Sequence, residues 1–221
     1  MGNIWKKKAN KNNYTDEYYQ CKPLRKYINI DLGIYIYNIQ QPSYKNESDW
    51  YKCTDQLVNE KIKLYITLNP SRQVEKERKY YKEKCLECHF VEIPVVDGEE
   101  FTSEQFIQLW NKLDEYKGQR VLIHCSAGYG RTGIAILSYI WWTKYQNSKY
   151  ENLKIETDKL NHESVSTYDN LPEIIKNEIF NELRNKYLKA SYDEITQDDT
   201  LLNSNLKNFV DAIKEKNKEK E

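Results

Sequence analysis

The sequence has no net charge and no long hydrophobic run. Its 221 residues include 34 Lys and Arg against 34 Asp and Glu. Such a balance supplies no overall positive field for a nucleic-acid backbone or an acidic membrane, so nucleic acid is not an expected partner. The longest apolar run, residues 133–142, is interrupted by Ser138 and Tyr139. It falls well short of the roughly 20 residues that a membrane span requires.

The N-terminus lacks the apolar stretch of a secretory signal. Residues 1–8 are basic, but no hydrophobic segment follows them, so we expect a cytoplasmic protein. Gly2 invites N-myristoylation, yet Lys6 occupies the position where that motif has Ser or Thr, so membrane contact is expected only if this segment is lipidated. The five cysteines are too few for a disulfide framework in a chain of this size, and their odd number leaves at least one free thiol.

The length and composition predict one folded domain with short charged extensions. With 39% hydrophobic and 31% charged residues, 221 residues suit a single core. Residues 1–26 are polar and basic and predict an N-terminal arm. Residues 27–210 are expected to form the domain, and residues 211–221 a charged C-terminal tail.

Alternating strand and helix patterns predict the fold class. Segments rich in β-branched and aromatic residues predict strands, at 34–39, 62–68 and 89–93. Amphipathic or charged segments predict helices between and after them, at 73–87, from a Thr102–Gln105 capping box to Gly118, at 172–189 and around 202–213. The apolar run 121–124 is typical of a strand buried on both faces, and an all-round apolar helix follows from 134. This order indicates an α/β fold with one central, mainly parallel sheet flanked by helices.

The segment HCSAGYGRTG, residues 124–133, lies where the buried strand gives way to a helix. Open α/β sheets bind ligands at that position. Five residues, two of them glycine, separate Cys125 from Arg131 and allow successive backbone N–H groups to point inward beside the helix N-terminus. The segment is therefore predicted to be a cradle for a tetrahedral oxyanion, with binding residues Ser126, Ala127, Gly128, Tyr129, Gly130 and Arg131.

The same segment supplies a nucleophile. The positive field of the cradle favours thiolate over thiol, so Cys125 is the predicted nucleophile. Arg131 offers a planar fork for two phosphate oxygens. Thr132 is placed to hydrogen-bond the sulfur as it leaves, and His124 is expected to be a buried imidazole that orders the loop.

Residues 124–133 resemble the active-site loop of the cysteine-dependent protein tyrosine phosphatases, including their dual-specificity branch. The resemblance covers about residues 32–188 and implies a three-layer phosphatase fold and a phosphocysteine intermediate, with no metal or cofactor. The recognition motif of the larger tyrosine-specific members has no convincing match, which favours the short, dual-specificity-like branch. The cysteine loop also lies far from the N-terminus, unlike that of the low-molecular-weight phosphatases.

The resemblance also points to a general acid. A departing alkyl or aryl oxide needs a proton, and a carboxylate on a mobile loop is a common donor. Asp97, in Ile-Pro-Val-Val-Asp-Gly, lies in a segment similar to the family's proline-containing acid loop, although no Trp-Pro-Asp string is present. Glu99 and Glu100 are the alternatives.

The expected function is hydrolysis of phosphotyrosine in proteins, with phosphoserine and phosphothreonine as further substrates. A phosphoinositide phosphatase is an alternative, but Ser126, Ala127 and Tyr129 add no cation for further phosphates. An RNA 5′-phosphatase and a phosphate-binding module with little turnover also remain open. Cys88 is a candidate partner for a protective disulfide with Cys125.

Overall fold

The computed structural model contains a five-stranded sheet with helices on both faces. It describes residues 24–39, 47–70, 74–84, 87–161, 165, 167–186 and 199–218. The strands are β1 (Arg25–Asn29), β2 (Ile34–Asn38), β3 (Leu64–Thr67), β4 (His89–Glu92) and β5 (Arg120–His124). The helices are α1 (Glu47–Asn59), α2 (Val74–Lys84), α3 (Ser103–Glu115), α4 (Gly130–Tyr145), α5 (Glu151–Lys159), α6 (Glu173–Ile175), α7 (Asn181–Lys186) and α8 (Asp199–Lys218). A π-helical turn, Lys176–Phe180, joins α6 to α7.

The sheet order is β1-β2-β5-β3-β4, with β5 in the centre. The strands β2, β5, β3 and β4 are parallel, and only β1 is antiparallel to its neighbour. The predicted mainly parallel α/β sheet is thus confirmed. Because the four parallel strands run in one direction, the carboxyl ends of β2, β3, β4 and β5 lie at one edge of the sheet.

Two apolar clusters, one on each face of the sheet, join the sheet to its flanking helices and give a three-layer arrangement. On one face, α1 and α2 pack over the aromatic side chains of the strands, through Cys53, Leu57 and Tyr81. On the other face, α3, α4 and α8 bury a cluster of aromatic rings, Trp110, Trp141, Trp142 and Phe209. Both faces of β5 are therefore covered, as its continuous apolar sequence predicts. None of the helices in the described ranges is long and apolar enough to cross a membrane.

The helix α3 begins at the predicted capping box. Thr102 Oγ1 accepts a hydrogen bond from Gln105 N at 3.2 Å, and Gln105 Oε1 accepts one from Thr102 N at 2.9 Å. The side chain of Gln105 also donates to Pro94 O at 2.7 Å. The N-terminus of α3 therefore holds the loop that follows β4.

The edge strand β1 was not predicted from the sequence. It begins at Arg25, inside the segment 1–26 that was assigned to the arm. Residues 1–23 of that segment lie outside the described residues. Its inward side chains are anchored by Glu182, which accepts hydrogen bonds from Tyr27 and, at 2.7 Å, from Asn29. Lys144 Nζ lies 2.5 Å from the same carboxylate. A strand with such polar buried residues shows no clear apolar alternation.

The C-terminal segment also differs from its prediction. The helix α8 continues to Lys218, through most of the segment 211–221 that was assigned to a tail. Its inner face stays buried at Ala212 and Ile213. The α5 helix was not predicted either.

Candidate active site

The segment between β5 and α4 forms a tight loop around a buried sulfur. Cys125 follows the last residue of β5 and is only 2% exposed. Gly128 has a φ of +76°, which turns the chain so that its N–H donates to Cys125 Sγ at 3.2 Å. The helix α4 then begins at Gly130, so the partial positive charge of its N-terminus lies at the end of the loop. The sulfur thus accepts a backbone hydrogen bond in a loop that ends at a helix N-terminus.

Arg131 connects this loop to two neighbouring segments. Its side chain is 4% exposed, and Nη1 donates to Val95 O at 2.7 Å. Nη2 donates to Ser126 Oγ at 3.1 Å and lies 2.9 Å from Asp97 Oδ1. The guanidinium therefore lies between the cysteine loop and the loop after β4.

Asp97 lies on that second loop, with its side chain 85% exposed. The start of this loop is bound to the residue that follows β3, because Val95 N donates a hydrogen bond to Leu68 O at 3.0 Å. Beyond the acid, Phe101 N donates to Asn205 Oδ1 of α8 at 2.9 Å. The ion pair with Arg131 is made by Asp97 and by neither of the alternatives, Glu99 and Glu100, which are exposed on the same loop. The structure thus brings the predicted acid to the predicted arginine.

His124 and Thr132, which the sequence places on either side of the nucleophile and the arginine, are both fully buried. His124 Nδ1 lies 3.3 Å from Cys125 O, and its ring packs edge-on against Tyr65. This placement agrees with a role in ordering the loop. Thr132 Oγ1 is buried without a hydrogen-bond partner in the described part of the chain, so the hydrogen bond expected between it and the sulfur is not formed in this structure.

Three residues at the loop were missed by the sequence analysis. Asn69 Oδ1 accepts a hydrogen bond from Ser126 Oγ at 3.1 Å. Asn38 Nδ2 donates to Gly128 O, and Arg25 Nη2 donates to Ala127 O at 3.3 Å.

The positions of these residues in the sheet explain which of them could have been found. Asn38 ends β2 and Asn69 lies two residues after β3, so a search for polar residues at the ends of predicted strands could have selected both. Arg25 begins the antiparallel strand β1, and no local pattern marks it.

The hypothesis of a disulfide between Cys88 and Cys125 is wrong. Leu64 of β3 pairs with both His89 and Val121, so these two residues are level across the sheet. Cys88 precedes that level and Cys125 lies four residues beyond it. At about 3.3 Å per residue the two cysteines are roughly 16 Å apart along the strands, whereas a disulfide needs Cα atoms within about 7 Å.

Cys53 of α1 is disulfide-bonded, which the sequence analysis did not predict. Cys88 and Cys125 are the described cysteines that do not belong to a disulfide. Cys125 is therefore a buried thiol in a polar loop, with no other cysteine of the described sheet beside it.

A buried cysteine and arginine in one loop at the carboxyl edge of a mainly parallel sheet define a class, the dual-specificity-like cysteine phosphatases. The sequence model of the family described as "Swiss Army Knife protein, DSP-PTPase phosphatase domain" matches residues 46–181. The chain belongs to this family, and the resemblance stated from residues 124–133 is confirmed. No curated protein sequence matches the chain.

Several solved structures are similar to the chain at low identity. Kinase associated phosphatase (KAP), with its catalytic-site cysteine changed to serine, is 13% identical, with 79% of this chain and 92% of that chain covered and a TM-score of 0.49. PTPMT1 is 16% identical, with coverages of 83% and 94% and a TM-score of 0.48. Tk-PTP in its active form is 16% identical, with coverages of 74% and 92% and a TM-score of 0.42.

Proposed function

We propose that this protein is a metal-independent phosphatase that hydrolyses phosphotyrosine in proteins, and phosphoserine and phosphothreonine as further substrates, through a phosphocysteine intermediate. The observation that carries the proposal is the contact of Arg131 with both loops. It joins the loop that surrounds Cys125 Sγ to the Asp97 carboxylate, 2.9 Å away. Nucleophile, anion-binding group and proton donor thereby belong to one cluster.

Substrate binding would exchange one anion for another at Arg131. The guanidinium is neutralised by Asp97 in the structure. A phosphate dianion bound by the amides of residues 126–131 offers the guanidinium two oxygens in place of one carboxylate. The displaced carboxylate is largely solvent-exposed and free to turn towards the leaving group.

The reaction then takes two steps. In the first, the Cys125 thiolate attacks phosphorus, an S–P bond forms, the P–O bond to the leaving group breaks, and Asp97 transfers its proton to the departing oxygen. In the second, the Asp97 carboxylate takes a proton from water as the water attacks phosphorus, the S–P bond breaks, and phosphate leaves. Arg131 and the loop amides stay bound to the phosphoryl oxygens throughout.

The test is hydrolysis of p-nitrophenyl phosphate and of a phosphotyrosine peptide against pH in EDTA. We expect turnover in the wild type and none in Cys125→Ser. We expect Asp97→Asn to lose about 10²–10⁴-fold on the peptide, and less on p-nitrophenyl phosphate, because nitrophenolate leaves readily without a proton. Glu99→Gln is the matched control, since it removes an exposed carboxylate of the same loop and should leave both rates unchanged.

Activity that needs a metal ion, or a fully active Cys125→Ser variant, would overturn the mechanism. The substrate class is tested by comparing kcat/KM for phosphotyrosine peptide, phosphothreonine peptide, phosphoinositide and 5′-triphosphate RNA. We expect the two peptides to have the highest kcat/KM, because the exposed loop residues Ser126 and Ala127 carry no positive charge that could bind a second phosphate group. Tight binding of a phosphopeptide without turnover would indicate the binding module instead.

A further inference from the structure

We propose that Arg25 and Asn38 are positioning residues, which shape the phosphate loop from its outer side and thereby set the reactivity of Cys125. The inference rests on the proposed function, because it takes the loop of residues 125–131 as the phosphate-binding loop. Both side chains come from the edge hairpin of β1 and β2, and both residues lie outside residues 46–181, which the family model matches.

The two side chains bind consecutive carbonyl groups of the loop. Arg25 Nη2 donates to Ala127 O at 3.3 Å, and Asn38 Nδ2 donates to Gly128 O. These contacts span 102 and 90 residues of sequence. The hairpin therefore holds the loop at two adjacent peptide groups.

Holding a carbonyl group also orients the amide next to it. In a trans peptide the C=O and the following N–H point in opposite directions within one plane. With Ala127 O turned out towards Arg25, the N–H of Gly128 must point inward, and it donates to Cys125 Sγ at 3.2 Å. By the same geometry, the contact of Asn38 with Gly128 O turns the N–H of Tyr129 inward.

The packing at this point is too close for any side chain on the loop. A Cβ atom at Gly128 would lie 2.3 Å from Arg25 Nη2 and 2.7 Å from Asn38 Oδ1. The Arg25 guanidinium also lies over the ring of Tyr129, 4.4 Å from its centroid. Arg25 thus contacts three consecutive residues of the loop.

The two terminal nitrogen atoms of Arg25 differ in their contacts. Within the described part of the chain, its Nη1 atom is buried and has no hydrogen-bond partner. A buried donor of this kind is unfavourable, and such groups are uncommon in native proteins. The contacts that Arg25 makes with the loop are the hydrogen bond from Nη2 to Ala127 O and the packing of its guanidinium over Tyr129.

The test compares Arg25→Gln and Asn38→Ala with the wild type in two measurements that need no turnover. These are the rate of Cys125 alkylation by iodoacetamide against pH, and the dissociation constant of tungstate. We expect both variants to shift the alkylation profile to higher pH and to weaken tungstate binding. We also expect kcat/KM on p-nitrophenyl phosphate to fall by about 10–100-fold, as for a small misplacement of reacting groups.

Lys26→Gln is the matched control. It removes one positive charge from the neighbouring residue of β1, whose side chain pairs with Glu60 at 2.6 Å, and should leave all three measurements unchanged. Asn38 is neutral, so a shift in Arg25→Gln without one in Asn38→Ala would indicate a charge effect and overturn the positioning role. Wild-type profiles in both variants would overturn it as well.

A folding defect and a failure of the proposed function can each be recognised separately in these experiments. Circular dichroism identifies any variant that does not fold, and Asn38→Ser replaces Asn38→Ala in that case, because a serine hydroxyl is too short to reach Gly128 O. A wild type without phosphatase activity would refute the proposed function and still leave the alkylation comparison readable. The two proposals can therefore fail independently.

Discussion

Gly128→Ala adds one methyl group at the point where the edge hairpin meets the phosphate loop. The φ of +76° at this residue is strained for alanine by about 1–2 kcal/mol. The new Cβ atom would also displace the ends of Arg25 and Asn38, each of which would lose its hydrogen bond to the loop. At about 0.5–1.5 kcal/mol for each bond, this loss adds about 1–3 kcal/mol. We expect Gly128→Ala to lower the free energy of unfolding by about 2–5 kcal/mol.

Gly118→Ala is the control that isolates the contact. Gly118 has a similar φ of +79°, but a Cβ atom there would meet nothing within 4 Å. Its cost is the backbone strain alone, about 1–2 kcal/mol. The difference between the two variants therefore measures what the hairpin contributes to the loop.

Urea unfolding gives the two stabilities, and iodoacetamide alkylation and kcat/KM give the state of the loop. We expect Gly128→Ala to be less stable than Gly118→Ala by about 1–3 kcal/mol and to react more slowly in both assays. The reasoning is refuted if the two variants lose equal stability and both keep wild-type kinetics.

Three further predictions follow from other contacts. Arg131→Lys should lower kcat/KM by about 10²–10³-fold in steady-state kinetics, because an ammonium cannot hold two phosphate oxygens in one plane. Burial alone would raise the pKa of Glu182, but hydrogen bonds, chiefly from Lys144, lower it below its ordinary value of 4.5. The ionised Glu182 carboxylate therefore stabilises the fold above pH 4.5, and this stabilisation is lost as the pH falls. Glu182→Gln should accordingly be less stable at pH 7, by about 1–3 kcal/mol, and lose less stability on acidification, as followed by urea unfolding against pH. Peroxide treatment of the folded protein should oxidise Cys125 without joining it to Cys88, as mass spectrometry of unreduced peptides would show.

The Glu182 variant has a matched control, and each of the three predictions has an outcome that contradicts it. Glu173→Gln removes an exposed partner of Lys176, so its stability and acid slope should match the wild type. An unchanged acid slope in Glu182→Gln would contradict the assigned cause of its stabilising effect, and unchanged kinetics in the arginine variant would contradict bidentate binding. Recovery of a peptide joining Cys88 to Cys125 from native protein would contradict their separation across the sheet.

The parts of the fold that were predicted correctly are those coded by local patterns. The run Val121–His124 identified the central strand because a strand covered on both faces is apolar throughout. The Thr102–Gln105 capping box marked the start of α3, since both its hydrogen bonds join residues three apart. The segment 124–133 likewise predicted that a thiol and an arginine share one loop, because Cys125 and Arg131 are only six residues apart.

The sequence by itself therefore determined the class of fold and the chemical groups of the loop. Only the tertiary structure decided what surrounds that loop. The sequence suggested Asp97 by resemblance, but its contact with Arg131 depends on the order of β3, β4 and β5 in the sheet. The roles of Arg25 and Asn38 depend on a hairpin whose contacts cross about half of the chain. Strand order and side-chain contacts at such distances come from packing of the whole domain, so no pattern within a short window of residues encodes them.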